Sequence, residues 1–206
     1  MDEKISLYTR QNAKSRYELE NKGYLTNKEL YVKLHMGVDA PHFIDRYRTF
    51  VAMAEHIVPR PKAIAYPIWC TTQKRYCKRP IAGELIYALE VPREEIIFFD
   101  GQKWDYVLNY QYCPLNEADE RRFNQKLDRL GLGNIVNLFQ PKYQRMYEDI
   151  KEEIRQSWSR IFDLTNSKAA TIEANLWQIR KEWVKHVIQP DEDFFAKVQD
   201  MTDINW

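Results

Sequence analysis

Glu173 is the residue here best suited to chemistry. It stands in "TIEANLWQI", whose alternation predicts a strand over Thr171–Ile179. Ile172, Ala174 and Leu176 would face one way, and Thr171, Glu173, Asn175 and Trp177 the other. An exposed strand carboxylate is the ordinary reading of such a residue. The sharper reading is a carboxylate fixed by a rigid strand, placed to hold a sugar hydroxyl and to stabilise positive charge developing at an anomeric carbon. A second group closes the first strand: Tyr8, Thr9, Arg10 and Gln11 offer a phenol, a hydroxyl, a guanidinium and an amide in succession. Such donors suit recognition of an amide or phosphate, and equally suit an ordinary turn into a helix.

The stretch "YPIWCTTQKRY", Tyr66–Tyr76, joins an apolar, aromatic strand to hydroxyls, an amide and cations. Its aromatic half, with Tyr66 and Trp69, offers a stacking wall. Its polar half opens the one local basic patch, Lys74, Arg75, Lys78 and Arg79, which reads either as a phosphate grip or as a solvated loop. Trp69, Trp104 and Trp177 are the aromatics nearest these polar ends, and a core role for at least two of them is the ordinary reading.

Several chemistries are absent from the pattern. There is no G-x-G-x-x-G, no P-loop and no G-x-S-x-G. The three cysteines Cys70, Cys77 and Cys113 and the four histidines fall at no zinc spacing, so no metal is expected. Cys70 lies on the Ile64/Tyr66/Ile68 face and reads as a small apolar residue without a neighbouring base.

The elements that must position these groups alternate between periods of two and 3.6. Strands are expected at Ile5–Thr9, Ala63–Thr71, Glu84–Val91, Ile96–Asp100 and Thr171–Ile179, with "EWVKHVI" a further short strand or turn. Asn12 is expected to cap a helix that stops at Gly23, and Thr26–Glu29 has the spacing of a capping box for a second. A third helix follows Asp39 and Pro41, with Phe43, Tyr47, Phe50, Val51, Ala54 and Ile57 at 3.6-residue spacing, and a charged one ends at Gly131. A long helix from Pro141 to Leu164 carries Tyr143, Tyr147, Ile150, Ile154, Trp158 and Ile161 on one stripe.

The reading is therefore one α+β domain over 1–188, its central sheet mixed or antiparallel, with 189–206 as an acidic tail that either docks as a short helix or frays. The 206 residues include 44% hydrophobic and 14% aromatic residues, which excludes disorder. With 31 basic against 30 acidic residues, no overall field draws the chain to nucleic acid or membrane. No apolar run approaches the roughly eighteen residues of a membrane span and the start lacks a signal-peptide core, so the chain reads as cytoplasmic.

"ISLYTRQ", "YPIW", "ALEVPREEIIF", "WDYVLN" and "IEANLWQIRKEWVKHV", in that order, resemble a bacterial family catalogued as domain of unknown function 3841. That likeness brings no activity with it. The order of "SLYTRQ", "ENKGYL", "YPIWCTT", "YALEVP" and "IEANLW…EWVKHV" is also similar to ADP-ribosyltransferases of the DNA-modifying toxin type. This second resemblance implies an ADP-ribosyltransferase-like fold with NAD as substrate, Glu173 as the catalytic glutamate, and nucleic acid or protein as acceptor. It implies cofactor contacts from Tyr8, Thr9, Arg10, Gln11, Tyr66 and Trp69, with Asn109 at the end of "WDYVLN" added to them. Two departures stand against it: Thr9 occupies the place of a histidine, and no serine follows the aromatic strand in the usual way. The competing reading is a non-catalytic module that binds a nucleotide or a partner in the same cleft.

Overall fold

In a computed structural model, residues 3–133, 135–143 and 145–206 are described, apart from the side chains of residues 31, 32, 34, 35 and 136. The chain is α+β and divides into two compact units, Met1–Phe98 with Ser167–Trp206, and Phe99–Asn166.

The first unit is built on an antiparallel sheet whose centre is a long pair. β1 (Lys4–Asn12) runs against β4 (Glu84–Pro92) in unbroken register from Lys4↔Pro92 to Asn12↔Glu84. β3 (Ile68–Thr71) pairs with the other edge of β1, β6 (Ile172–Leu176) pairs with β3, and β8 (Val184–Ile188) pairs with β4. With β5 (Ile97–Asp100) the order is β5-β6-β3-β1-β4-β8. The expected strand Ala63–Thr71 is shorter than its alternation suggested. Pro67 has no amide to give a ladder, so only an isolated bridge from Tyr66 to Asn27 precedes Ile68. Thr171–Ile179 is likewise divided at Trp177. Its end, β7 (Gln178–Arg180), leaves the main sheet to pair with β2 (Tyr24–Thr26).

That small ladder also corrects the capping box. Thr26 is spent on β2, and α2 (Glu29–Met36) begins after an extended Lys28 with no side-chain cap. The Glu29 carboxylate instead accepts the Tyr66 hydroxyl at 2.8 Å and pairs with Lys33 at 2.7 Å. α1 (Ser15–Lys22) starts later than expected, because Asn12 is still in β1; Gly23, at φ 78°, closes it as anticipated.

Residues opposite one another in an antiparallel ladder share a face, so the two faces follow from the register. Ile5, Leu7, Ile68, Cys70, Tyr87, Leu89, Ala174 and Leu176 form the inner face, closed by Leu19 of α1, Leu25 of β2 and Trp183. The outer face is covered in two parts. α3 (Ala40–Ala54) packs Tyr47 and Phe50 against Trp69, each pair of ring centroids 5.5 Å apart. Over β1, β4 and β8, the C-terminal segment lays Phe194, Val198 and Met201 on Tyr8, Ile86, Ala88 and Ile188.

The segment 189–206 is thus part of the first unit, and the basic patch is what holds it. Lys74 donates from Nζ to the Met201 carbonyl at 2.5 Å and from its amide to the Asp203 carboxylate at 3.1 Å. The Arg79 guanidinium lies 3.9 Å above the Phe194 ring, and Asp193 caps α7 (Phe194–Lys197). Neither a phosphate grip nor a solvated loop describes these two cations.

The second unit is helical: α4 (Gly101–Leu108), α5 (Glu117–Arg129) and α6 (Glu148–Ser157). The long helix expected over Pro141–Leu164 is broken into a 3-10 turn at Pro141–Tyr143, α6, and a second 3-10 turn at Trp158–Phe162. Tyr147, with φ 56°, takes a left-handed conformation that no α-helix interior accommodates, so α6 begins after it; Gln144 lies outside the described residues. Of the expected stripe, Ile150, Ile154, Trp158 and Ile161 are buried, whereas Tyr143 and Tyr147 precede α6 and are half-buried.

Asp119 organises this unit's polar side. Burial alone would raise its pKa, but the Leu115 amide, the Tyr112 hydroxyl and the Arg122 and Arg160 guanidinia outweigh that and hold it well below the ordinary carboxylate range. A depressed folded-state value contributes stability that is present above the unfolded value and lost as pH falls through the folded one. Acid unfolding followed by circular dichroism should therefore retain an acid-limb slope below about pH 4 that Asp119→Asn flattens. Superimposable acid limbs for the two proteins would contradict this role.

Candidate functional site

The register assembles one row across the outer face: Glu173 opposite Thr71, Thr71 opposite Tyr8, and Tyr8 opposite Ala88. The next row carries Asn175 opposite Trp69. Burial falls along the first row from Tyr8, which is buried, through half-buried Thr71 to exposed Glu173. Along β6, Glu173 stands between buried Ile172 and Ala174, as the alternation requires. Its surroundings are aromatic. Tyr47 lies close enough that its phenol is raised first by burial and then by the Glu173 charge, and Tyr47 in turn stacks near Trp69 and Tyr66. A carboxylate on a central, hydrogen-bonded strand beside a wall of rings can accept from ligand hydroxyls and counter a developing cation while a planar group lies on the rings.

Asn175 is the unusual member. It is 0% exposed, and neither its Nδ2 nor its Oδ1 finds a hydrogen-bond partner among the described residues. A buried amide left so costs about 1–3 kcal/mol, a burden that a core position does not ordinarily carry. Asn175→Leu is expected to raise stability to urea unfolding by about that amount. A drop of similar size would mean that the amide is paired in solution.

The remaining expected residues divide between the two faces. Thr9 and Gln11 pair with Tyr87 and Leu85, which places them on the inner side of β1, away from Glu173. Thr9 Oγ1 donates to the Trp69 carbonyl at 2.8 Å and in turn accepts from Gln11 Nε2 at 2.8 Å, so both are engaged with strand backbone and with each other. Arg10 shares the outer face but is tied to Glu84 at 3.3 Å and to the Arg79 carbonyl. Tyr8 is sealed under the tail, its phenol held far above its ordinary range by burial and then by Asp203. Tyr66 is buried with its hydroxyl on Glu29. Asn109 belongs to the second unit, where its Nδ2 donates to the Asp105 carbonyl at the end of α4. The structure therefore brings Trp69 and Glu173 to the outer face with Tyr47, and turns Thr9 and Gln11 to the other.

Tyr47 joins this candidate face without a sequence signal of its own, because its spacing with Phe43 and Phe50 reads as a helix core stripe. Trp104 and Trp177 are buried, Trp177 donating to the Val58 carbonyl at 2.8 Å. The thiols are poor nucleophiles: burial pushes Cys70 far up, and Cys77 and Cys113 to about 11. Among the described residues no cluster of His, Cys, Asp and Glu has the makings of a metal site, and no helix is long and apolar enough to cross a membrane.

A six-stranded antiparallel sheet with helices, carrying an exposed strand carboxylate against an aromatic wall, defines an α+β protein with a candidate ligand face. The chain belongs to the family described as domain of unknown function (DUF3841), whose profile matches residues 6–185. Comparison with curated proteins gave no match, and comparison with solved structures gave none.

Proposed function

We propose that the outer face around Glu173, Trp69 and Tyr47 binds a nicotinamide-dinucleotide-type ligand, and that Glu173 assists transfer of its ADP-ribosyl group to a nucleic-acid or protein acceptor. In that reaction the glycosidic C–N bond breaks and its electron pair leaves with nicotinamide. The acceptor heteroatom then bonds to the anomeric carbon and releases its proton to water. The observation that supports this reading is the placement of Glu173, the exposed residue of a strand whose other members are buried, next to the aromatic wall. The ribose-side carboxylate would act on charge present only in the transition state, which is where electrostatic preorganisation is most effective.

A second reading, a non-catalytic nucleotide-binding module, is favoured by one specific feature. Thr9 and Gln11, which the transferase resemblance would assign to the amide end of NAD, are on the opposite side of β1. Calorimetric titration of NAD together with chromatography for free nicotinamide separates the two. Binding with release supports transfer, binding without release supports the module, and neither removes both.

A further inference from the structure

The second unit carries a cavity of about 260 Å³ that plays no part in the reading above. Its walls include Lys103, Asn116, Arg160, Asp163, Thr165 and Asn166. Arg160 is unusually well fixed. Its Nη1 alone donates to Asp119 Oδ2 at 2.7 Å, to the Cys113 carbonyl at 2.7 Å and to the Tyr112 hydroxyl at 3.1 Å. Its guanidinium carbon lies 5.2 Å from the centroid of the Tyr112 ring, which is itself stacked on Phe123. Nε and Nη2 donate to none of the described residues, and Arg160 lines the cavity. Lys103 supplies a second cation, its ammonium spending one donor on the Asp163 carbonyl.

The acidic wall residue is turned to the loop. Asp163 Oδ1 accepts the Thr165 amide at 2.9 Å, and Asn166 follows in a left-handed conformation at φ 67° that asparagine tolerates. The wall then offers a guanidinium whose Nε and Nη2 hold no hydrogen bond to the described residues, an ammonium, a carboxylate with Oδ1 engaged by the Thr165 amide, and the neutral polar groups of Asn116, Thr165 and Asn166. A planar fork of this kind matches two oxygens of one carboxylate or phosphate, while Asp163 and Asp119 limit the net positive charge. The volume is below the range for drug-sized ligands, which restricts the occupant to a few heavy atoms or to one end of something larger.

We propose that this cavity is a binding site for a small oxyanion, a phosphate or carboxylate group taken by the Nε–Nη2 edge of Arg160 with Lys103 beside it. The test uses the full chain labelled with ¹⁵N, titrated at constant ionic strength with inorganic phosphate in one series and malonate in another. Saturable shifts in the millimolar range are expected at the amides of Leu115, Asn116, Thr165 and Asn166 in at least one series. Saturation with phosphate alone, or with malonate alone, identifies which oxyanion the site takes. Lys103→Met should weaken that binding about tenfold while the rest of the spectrum is retained, and Arg160→Lys, which keeps the charge and removes the fork, should weaken it at least as much. Linear, non-saturating shifts in both series would overturn the proposal. So would equal affinity in wild type and both variants.

Discussion

Glu173→Gln should keep the fold and leave NAD binding nearly intact, while nicotinamide release falls by about a hundredfold or more, the scale of losing one preorganised electrostatic contact. The asymmetry follows from where the residue stands. Glu173 is exposed on β6, so the substitution removes charge without opening a cavity, and surface changes of this kind shift stability by only about half a kcal/mol. A ground-state contact would weaken binding and turnover together. Calorimetry and a release assay on the same preparations measure the two quantities. Equal turnover in wild type and variant would remove Glu173 from catalysis.

Phe194 is 2% exposed, edge-on to Tyr8 with ring centroids 5.7 Å apart, and covered on its other side by Arg79. Phe194→Ala should cost about 3–5 kcal/mol in urea unfolding, since a large ring is removed from a packed site on the main sheet. A cost below about 1 kcal/mol would show that the C-terminal segment is not integral to the sheet's outer face. The same variant should loosen the segment that carries Asp203, so the Lys74 loop is expected to lose protection from hydrogen exchange with it.

The legible parts of this fold were those governed by local periodicity. β4 alternates without interruption over Glu84–Val91 and appears at that length with Pro92 added, while β1 contains the expected Ile5–Thr9 but runs on to Asn12. Local signals failed where a distant partner competed for the same residues. Thr26 fits a capping box, yet β7 claims it for a ladder from far along the chain. The tail's aromatics were visible, but not that Lys74 and Arg79 would hold them, because those contacts join positions more than a hundred residues apart.

The site was legible to the same extent. Alternation along β6 placed Glu173 outside the apolar face, and the structure puts it there. Tyr8, Thr9, Arg10 and Gln11 concentrate donors at a strand end, but a pleated strand turns successive side chains to opposite faces. Thr9 and Gln11 therefore share a side with Leu7, and Tyr8 shares one with Glu173. Tyr47 was hidden for a different reason: a helix stripe of aromatics looks the same whether it meets only core or also flanks a ligand face.

Transfer by this chain is measured by incubating the wild-type protein with NAD labelled in the nicotinamide ring, with single-stranded DNA, RNA or a protein extract as acceptor, and separating free nicotinamide by chromatography. Time-dependent release is expected in at least one mixture, proportional to enzyme and reduced by about a hundredfold or more in Glu173→Gln. Release no faster than in protein-free controls in every mixture, with no heat of NAD binding, would contradict it.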